Sequence, residues 1–247
     1  MTYQVSVLSY QRPELLAKRT LPLLLDGGVP ADRITVFIGG DRTGYRVPAG
    51  VSIEPAPVGM YRASNAVTDY YDEGTELVHL DDDLKYLVRL SEDGTKRERV
   101  EDVDDLFARA FAFIKAERTT LWGLNPVANP YFMRPEWSSK LWFVDGTIWG
   151  AINHKKIRST MTAKEDYERT LQHYGRRGAV SRLRDHSFVS EPLRTTPGGI
   201  QGETEERRRW EVDAVASLKA RWPGLVHDKA PRDGYPEIAL RVPRGSK

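Results

Sequence analysis

The stretch "LVHLDDDLKYL" (residues 77–87) places three consecutive aspartates between two apolar runs. Neighbouring carboxylates repel one another, and burying one without a counter-charge is costly. The triplet Asp81–Asp83 therefore indicates one of two things. It is either a solvated turn or a site that a positive charge completes.

The residues up to the triplet alternate between strand-like and helix-like segments. Strands are predicted at 3–10, 32–40 and 75–83, where β-branched residues alternate with others. Helices are predicted at 13–28 and 59–74, each with a glycine at its end. Strands and helices that alternate across short loops predict an α/β fold with right-handed crossovers. We expect a mostly parallel central sheet flanked by helices.

The pattern changes after residue 90. A charged loop is predicted at 91–104, and the C-terminal stretch 231–247 reads as loosely held. Further helices are predicted at 104–117, 163–174 and 205–220, and aromatic-rich strands at 119–126 and 140–154. No internal repeat or interdomain linker is visible, so a single domain is expected.

The composition is that of an ordinary globular protein. The 247 residues carry a net charge of +2 and no cysteine, which excludes disulfides and thiolate metal sites. We expect a cytoplasmic protein with no signal peptide, membrane span or obligate protein partner. Residues 154–184 hold nine Lys or Arg against three acids, a local excess of +6 that indicates either attraction of a polyanion or a solvated helix face.

Ligands of open α/β sheets bind beyond the carboxyl ends of the strands. That rule brings three loops of this chain to one rim: Ser9–Arg12, Gly39–Asp41 and Asp81–Asp83. Carboxylates at such an edge supply hard oxygen ligands for Mg²⁺ or Mn²⁺, which usually bind one or two of them together with substrate phosphates. The sequence thus predicts a nucleotide site with a divalent cation.

Several motifs together resemble glycosyltransferases of the GT-A (Rossmann-like) fold. "VSVLSYQRPELL" (5–16) looks like their first strand and base-binding loop, "YRASNA" (61–66) like their Arg–Asn helix, and "LVHLDDDL" (77–84) like their strand ending in D-x-D. "LWFVDGTIWGAI" (141–152), "KEDYERTLQHYGRRGAV" (164–180) and "TPGGIQ" (196–201) are similar to the TET/JBP-associated branch found in phages. The resemblance covers residues 3 to about 202.

The resemblance implies an enzyme that moves a hexose or pentose from a nucleotide-sugar donor, expected to be UDP-linked, to a hydroxymethylated pyrimidine such as 5-hydroxymethylcytosine in DNA. If phage-encoded, it would act in the bacterial host cytoplasm. One domain over 1–247 is expected, with a nucleotide-sugar and metal half (1–90), an acceptor and catalytic half (91–220) and a tail (221–247).

The resemblance also suggests roles for individual residues. Asp83 is the expected metal ligand, with Asp81 on the metal or the ribose and His186 as a further ligand. The remaining donor-binding candidates are Ser9, Tyr10, Arg12, Asp41, Arg62, Asn65, Asp82, Gly198 and Gly199. Arg12 and Arg62 would pair with phosphate or base, although surface positions explain both equally well. The family often holds the base with an acidic residue where its second strand ends, whereas here Asp41 follows two glycines.

Sugar transfer with inversion needs a base for the acceptor hydroxyl. Glu165 and Asp166 begin a predicted helix, where carboxylates are common for purely structural reasons. A similar pair supplies the base in inverting GT-A enzymes, so Asp166 is the expected base and Glu165 the substitute. A retaining enzyme would need no base, and Asp166 would then bind sugar.

Several other residues have both a structural and a functional reading. Asp145 and Gly146 interrupt an apolar strand, as a ligand site or a tight turn would. Trp137, Trp142 and Trp149 could stack on a base or a sugar, although aromatic residues on strands are more often core. His79 reads as a satisfied core residue.

Two other functions remain open from the sequence. The same fold could transfer sugar to a glycan, a lipid-linked sugar or a protein, which the small net charge permits. Alternatively, the chain could bind a nucleotide and metal without turnover, with Asp166 purely structural.

Overall fold

Strand β1 (Gln4–Tyr10) lies inside a ten-stranded sheet in the computed structural model, which describes residues 3–191 and 205–243. It pairs in parallel with β2 (Ile34–Gly39) on one side and β4 (Glu76–Asp81) on the other. A strand that was not predicted, β3 (Ser52–Ala56), extends the parallel order beyond β2. The prediction of parallel strands is confirmed for this half of the sheet.

Three helices connect these strands: α1 (Pro13–Lys18), α2 (Thr20–Asp26) and α3 (Met60–Tyr70). The sequence predicted one helix over 13–28, but the helix is broken at Arg19, whose backbone leaves helical geometry (φ −125°, ψ −85°). The break lets Thr20 face the acidic triplet.

The second half of the sheet pairs mainly in antiparallel fashion. Its strands are β5 (Leu84–Leu90), β6 (Arg97–Arg99), β7 (Leu121–Asn125), β8 (Trp137–Lys140), β9 (Ile148–Ile152) and β10 (Val180–Ser190). The order is β3-β2-β1-β4-β9-β7-β10-β5-β6, with β8 beside β10. Of these pairings, β7 with β10 is parallel, whereas β9 runs antiparallel to both β4 and β7.

The sheet is therefore mixed, and the expectation of a mostly parallel sheet was wrong. Only Asp82 and Asp83 separate β4 from β5, whereas a parallel crossover needs a dozen or more residues. Strand β5 instead joins the far side of the sheet, where it runs antiparallel to β10. The region 91–104, predicted as a loop, also contains the short strand β6.

The remaining helices cover the sheet and carry its core. Helix α4 (Val103–Ala116) buries residues at helical spacing, and Asp102 caps it by accepting a hydrogen bond from the Asp105 amide at 2.8 Å. Helices α5 (Glu165–Arg177) and α6 (Glu205–Arg221) lie close to their predicted positions. In the part of the chain that is described, no helix is both long and apolar enough to span a bilayer.

Part of the C-terminal stretch that was predicted to be loosely held is a paired β-structure. Strands β11 (Val226–Arg232) and β12 (Tyr235–Leu240) form an antiparallel hairpin. The hairpin and the two last helices share a small apolar core: Leu171, Ala214, Val215, Leu218, Val226 and Ile238 are buried together. Burial of these side chains fixes α6 against α5.

Close packing across the sheet depends on glycine at one position of β9. A Cβ on Gly150 would lie 2.2 Å from a ring atom of Trp122, which is fully buried in the main core. The indole ring therefore occupies the space that any other residue at position 150 would need.

Candidate functional site

The acidic triplet is a tight turn that side chains on three elements hold in place. The Thr20 hydroxyl donates to the Asp81 carbonyl at 2.8 Å and accepts from the Leu84 amide at 3.1 Å. Thr20 is buried at the first residue of α2, directly after the helix break. The helix break, which the sequence did not predict, thus places the Thr20 hydroxyl where it bonds to both ends of the turn.

Asp82 points into the protein and makes the strongest contacts of the three. Its carboxylate accepts from the Ser9 hydroxyl at 2.6 Å and from Arg12 at 3.4 Å. The same guanidinium lies 3.5 Å from the Asp83 carboxylate. Asp82 and Asp83 are both buried, so the reading of the triplet as a solvated turn does not hold.

A first cavity of about 230 Å³ opens at the carboxyl ends of β1, β2 and β4. One wall carries the triplet, Ser9, Tyr10 and Arg12. The rest of the lining is largely apolar and contains Leu8, Phe37, Pro57, Val58, Met60 and Ala63. An apolar slot beside a few convergent polar groups suits a flat ring joined to a charged chain.

A second cavity of about 340 Å³ lies beside the first and shares Leu8, Met60 and Asp81 with it. Four carboxylates that precede α6 in the chain line this cavity: Asp81, Asp145, Glu165 and Asp166. Helix α6 supplies Arg207, Trp210 and Glu211 from the other side. Asp81 therefore stands where the two cavities meet.

Carboxylates that converge here resist ionisation. The pKa of Asp81 is raised well above its ordinary value by burial and then by the charges of Asp83 and Asp82. Burial raises the pKa of Asp166 in the same way, with Glu165 and Asp145 adding to the effect. Burial also raises the pKa of Asp83, to about 6. Such groups favour a cation that would share their charge.

Arg169 is the principal counter-charge and was not singled out by the sequence analysis. Its guanidinium is buried, and its charge acts to lower the pKa of both Glu165 and Asp166. It lies one helical turn after that pair, at the i+4 and i+3 positions, on the helix face that the pair presents to the cavity. The signal for finding it was this spacing.

Aromatic residues support Arg169 from the sheet. Its Cζ lies 4.0 Å from the ring centroid of Trp149, and His79 stacks on the same ring at 3.8 Å. The reading of His79 as a satisfied buried residue is confirmed, because its Nδ1 lies 2.9 Å from the buried Ser6 hydroxyl. Trp149 is 8% exposed and lines the second cavity, so it serves both as core and as cavity wall.

The fit of a divalent cation rests on Asp81 and Asp83. Within residues 3–191 and 205–243, no group of three or more His, Asp or Glu side chains is arranged to hold a metal ion. Two carboxylates are nevertheless enough for Mg²⁺ or Mn²⁺ when substrate phosphates complete the coordination. The raised pKa of Asp81, caused partly by Asp83, fits a pair that a cation would bridge.

Several predicted site residues lie elsewhere. Asp41 is exposed and its carboxylate accepts from the Thr43 amide and hydroxyl, while Arg62 is exposed beside Tyr61. Neither lines the two cavities. Asn65 joins α3 to the loop before α5 through two hydrogen bonds to the Ser159 backbone. These contacts explain all three residues without a ligand.

The remaining two predictions concern His186 and the glycine pair. His186 pairs with Arg89 across β10 and β5, about four residues or ~13 Å along the strand from the Ser190–Leu84 pair beside the triplet. Its Nδ1 lies 2.6 Å from the carboxylate of the adjacent Asp185. The structure therefore does not bring His186 to the aspartate triplet. Gly198 and Gly199 lie outside the described residues.

The basic segment 154–184 is partly paired within the protein. Arg158 forms two hydrogen bonds with Asp69, Lys164 pairs with Glu211 at 2.8 Å, and Arg184 pairs with Glu136. The local excess of +6 is therefore partly neutralised by acids from other elements. Lys156 and Arg177 remain on the surface.

Comparison with known proteins identifies the fold. A scan of protein families finds no match, and a search of curated proteins finds none either. Among solved structures, S. aureus TarS (residues 1–349) superposes with a TM-score of 0.54 at 16% identity, over 76% of this chain. The match spans 59% of the TarS chain, less than two thirds of its length.

A second solved structure superposes over more of the chain. Glucosyl-3-phosphoglycerate synthase from Mycobacterium tuberculosis, in complex with phosphoglyceric acid, gives a TM-score of 0.50 at 13% identity, over 92% of this chain and 84% of that one. Both neighbours are GT-A-type glycosyltransferases. The chain accordingly has a glycosyltransferase-like fold with a mixed central sheet.

Proposed function

We propose that this protein is a glycosyltransferase that moves a sugar from a nucleotide-sugar donor to an acceptor hydroxyl with the help of a divalent cation. One observation carries the proposal: the two cavities meet at Asp81, beside the turn that holds Asp83. This arrangement provides one compartment for a nucleoside, one for a sugar and acceptor, and carboxylates where the diphosphate would lie.

Each part of the site has a chemical task in this proposal. The apolar wall of the first cavity receives the base, expected to be uracil, and Arg12 faces the diphosphate. Asp83 and Asp81 would hold Mn²⁺ or Mg²⁺, which when bound would neutralise charge on the departing diphosphate. In the second cavity, Asp166 accepts the proton of the acceptor hydroxyl, and Glu165 is its substitute.

For the acceptor, we propose a hydroxymethylated pyrimidine in DNA. This proposal rests on the resemblance of residues 141–152 and 164–180 to phage enzymes that modify DNA. The hydroxymethyl group would enter the second cavity, where Asp166 and Trp210 lie. A flipped base is one way to reach it, at a cost of a few kcal/mol.

A second candidate acceptor is a glycan, a lipid-linked sugar or a protein. The observation that favours it is the internal pairing of Arg158 with Asp69 and of Lys164 with Glu211, which removes part of the basic excess that would attract DNA. A binding protein without turnover is the third possibility, and any measured transfer excludes it.

The decisive experiment is mass spectrometry of hydroxymethylated DNA after incubation with the protein, Mn²⁺ and a panel of nucleotide sugars. Addition of a hexose or pentose, lost in Asp83→Ala but kept in Asp41→Asn, is the expected result. Asp41 is a suitable control because its carboxylate bonds only to its own loop.

Two other results have clear meanings. Cleavage of the donor without any mass added to DNA would reject the DNA acceptor and leave the transferase. No cleavage and no transfer across the panel, with folded protein, would reject the proposed function as a whole.

A further inference from the structure

We infer that a cationic cluster on Trp142, next to the second cavity, binds a phosphate group of the acceptor. The cluster consists of Lys140, Arg182 and Arg184 around the Trp142 ring, and we call it the Trp142 cluster. This inference rests on the proposed function, because the cluster would orient the acceptor whose hydroxyl is glycosylated.

Three cations share one aromatic ring in this cluster. The distances to the Trp142 ring centroid are 4.1 Å from Lys140 Nζ, 4.5 Å from Arg182 Cζ and 5.1 Å from Arg184 Cζ. Each cation gains from the ring, but neighbouring cations repel one another. Like the aspartate triplet, the cluster brings three groups of the same charge close together.

The charge of the cluster is incompletely neutralised within the described residues. Arg184 pairs with Glu136, which is itself 58% exposed, whereas no ion pair is present for Lys140 or Arg182. Three cations face Glu136 and the charge of Asp145, which acts on Arg182, so an excess of +1 remains. Burial and then the charge of Arg184 lower the pKa of Arg182 to about 10, and its buried Nε has no hydrogen-bond partner.

The cluster lies beside the proposed reaction centre. Residues His79, Trp149, Gly123 and Arg182 stand directly opposite one another across β4, β9, β7 and β10, so their side-chain positions share one face of the sheet. Arg182 also donates to the Phe143 carbonyl. Asp145, only three residues after Trp142, lines the second cavity, and three residues span at most ~11 Å.

A phosphate is the ligand that this chemistry fits. Guanidinium groups bind phosphate oxygens with paired N–H donors, and an ammonium adds a mobile point charge. The exposed Lys140 and partly exposed Arg184 leave the cluster open to solvent. The phosphate could be a phosphodiester of a DNA strand or a phosphomonoester on a small acceptor, and the experiment separates these two sources.

Fluorescence anisotropy with hydroxymethylated duplex DNA, over a series of NaCl concentrations and without donor, tests the first source. Lys140→Gln and Arg184→Gln are each expected to reduce the slope of log K against log[salt] by about 0.9, which corresponds to a loss of roughly tenfold at 0.1 M salt. Arg177→Gln is the matched control, because Arg177 is an exposed arginine at the end of α5, outside the cluster.

Isothermal titration with inorganic phosphate tests the second source on the same four proteins. If the wild type binds DNA and both cluster variants behave like Arg177→Gln, the inference is wrong while the DNA acceptor stands. If the wild type binds no DNA but its phosphate binding is lost in the cluster variants, the cluster is confirmed and the DNA acceptor is rejected. If the wild type binds neither, the inference is overturned.

Discussion

The guanidinium of Arg169 lies over the indole of Trp149, with its Cζ 4.0 Å from the ring centroid. The ring holds the cation at the edge of the second cavity, where Asp81, Asp145, Glu165 and Asp166 also lie. Because this guanidinium is buried, it screens the carboxylates far more effectively than a surface charge would.

Replacing Arg169 should therefore destabilise the fold through the charges that remain. We expect Arg169→Gln to lose about 3–5 kcal/mol of unfolding free energy at neutral pH, with Arg169→Lys losing less. The loss should shrink when the pH is lowered from neutral to acidic, because carboxylates whose pKa is raised by burial take up protons more readily than ordinary ones. Urea denaturation at the two pH values measures both effects. An equal loss at both pH values would show that packing, and not charge, is the reason.

The base assignment predicts a difference between two adjacent carboxylates. Asp166→Asn should reduce kcat by about 10²–10⁴ while leaving donor affinity unchanged, because a general base acts in the transition state. Glu165→Gln should have a clearly smaller effect. Steady-state kinetics with donor titration distinguishes them, and a larger loss in Glu165→Gln would transfer the role of base to that residue.

Asp83 should make the metal-free protein less stable above its pKa. Burial raises the pKa of Asp83 from 3.8 to about 6, so the folded state binds its proton more tightly than the unfolded state between these values. Stability from this group is present below pH 3.8 and lost as the pH rises through about 6.

Asp83→Asn removes that penalty. With EDTA present, we expect the variant to be more stable than wild type at pH 7.5 by on the order of 2–3 kcal/mol, and equal to it near pH 4. Thermal or urea unfolding at the two pH values tests this. A variant less stable than wild type at pH 7.5 would mean that the Arg12 contact outweighs the cost of burial.

Two glycines should respond oppositely to alanine. Gly150→Ala should destabilise the protein by about 1–3 kcal/mol, because its Cβ would overlap the buried Trp122 ring. Gly175→Ala, inside α5 with open space around it, should stabilise by about 0.5–1 kcal/mol through helix propensity. Denaturant midpoints give both signs, and a neutral Gly150→Ala would contradict the observed packing.

The sequence predicted the elements that follow local rules. Strands β1, β2 and β4 were readable because β-branched residues and glycines mark them, and α5 because its polar and apolar residues repeat at helical spacing. In the other half, β7 and β9 lie within the predicted strands 119–126 and 140–154, whereas β5, β6, β8 and β10 were not predicted. Strand β10 carries arginines, an aspartate and a histidine, and its place between β7 and β5 depends on pairing with residues distant in the chain.

The same distinction, between features set by local sequence and features set by distant contacts, applies to the residues of the candidate site. The triplet was visible because three like charges in a row are unusual, and Glu165 and Asp166 because they begin a helix. Asp41 and Arg62 were placed near the donor by their position in the chain, but side-chain contacts with Thr43 and Tyr61 account for them. Arg169 was missed because its spacing from Glu165 and Asp166 also fits an exposed helix face, and only the structure shows that its side chain is buried.

The hairpin of β11 and β12 matters for how a shortened form of this protein would behave. Val226 and Ile238 pack on the same helix that presents Trp210 and Glu211 to the second cavity, and the Tyr167 hydroxyl donates to the Ile238 carbonyl at 3.2 Å. Deleting residues 222–243 would expose one side of α6 and loosen the packing of the helix that lines the second cavity. An inactive truncation would then report a lost scaffold, although every carboxylate proposed for the chemistry would still be present.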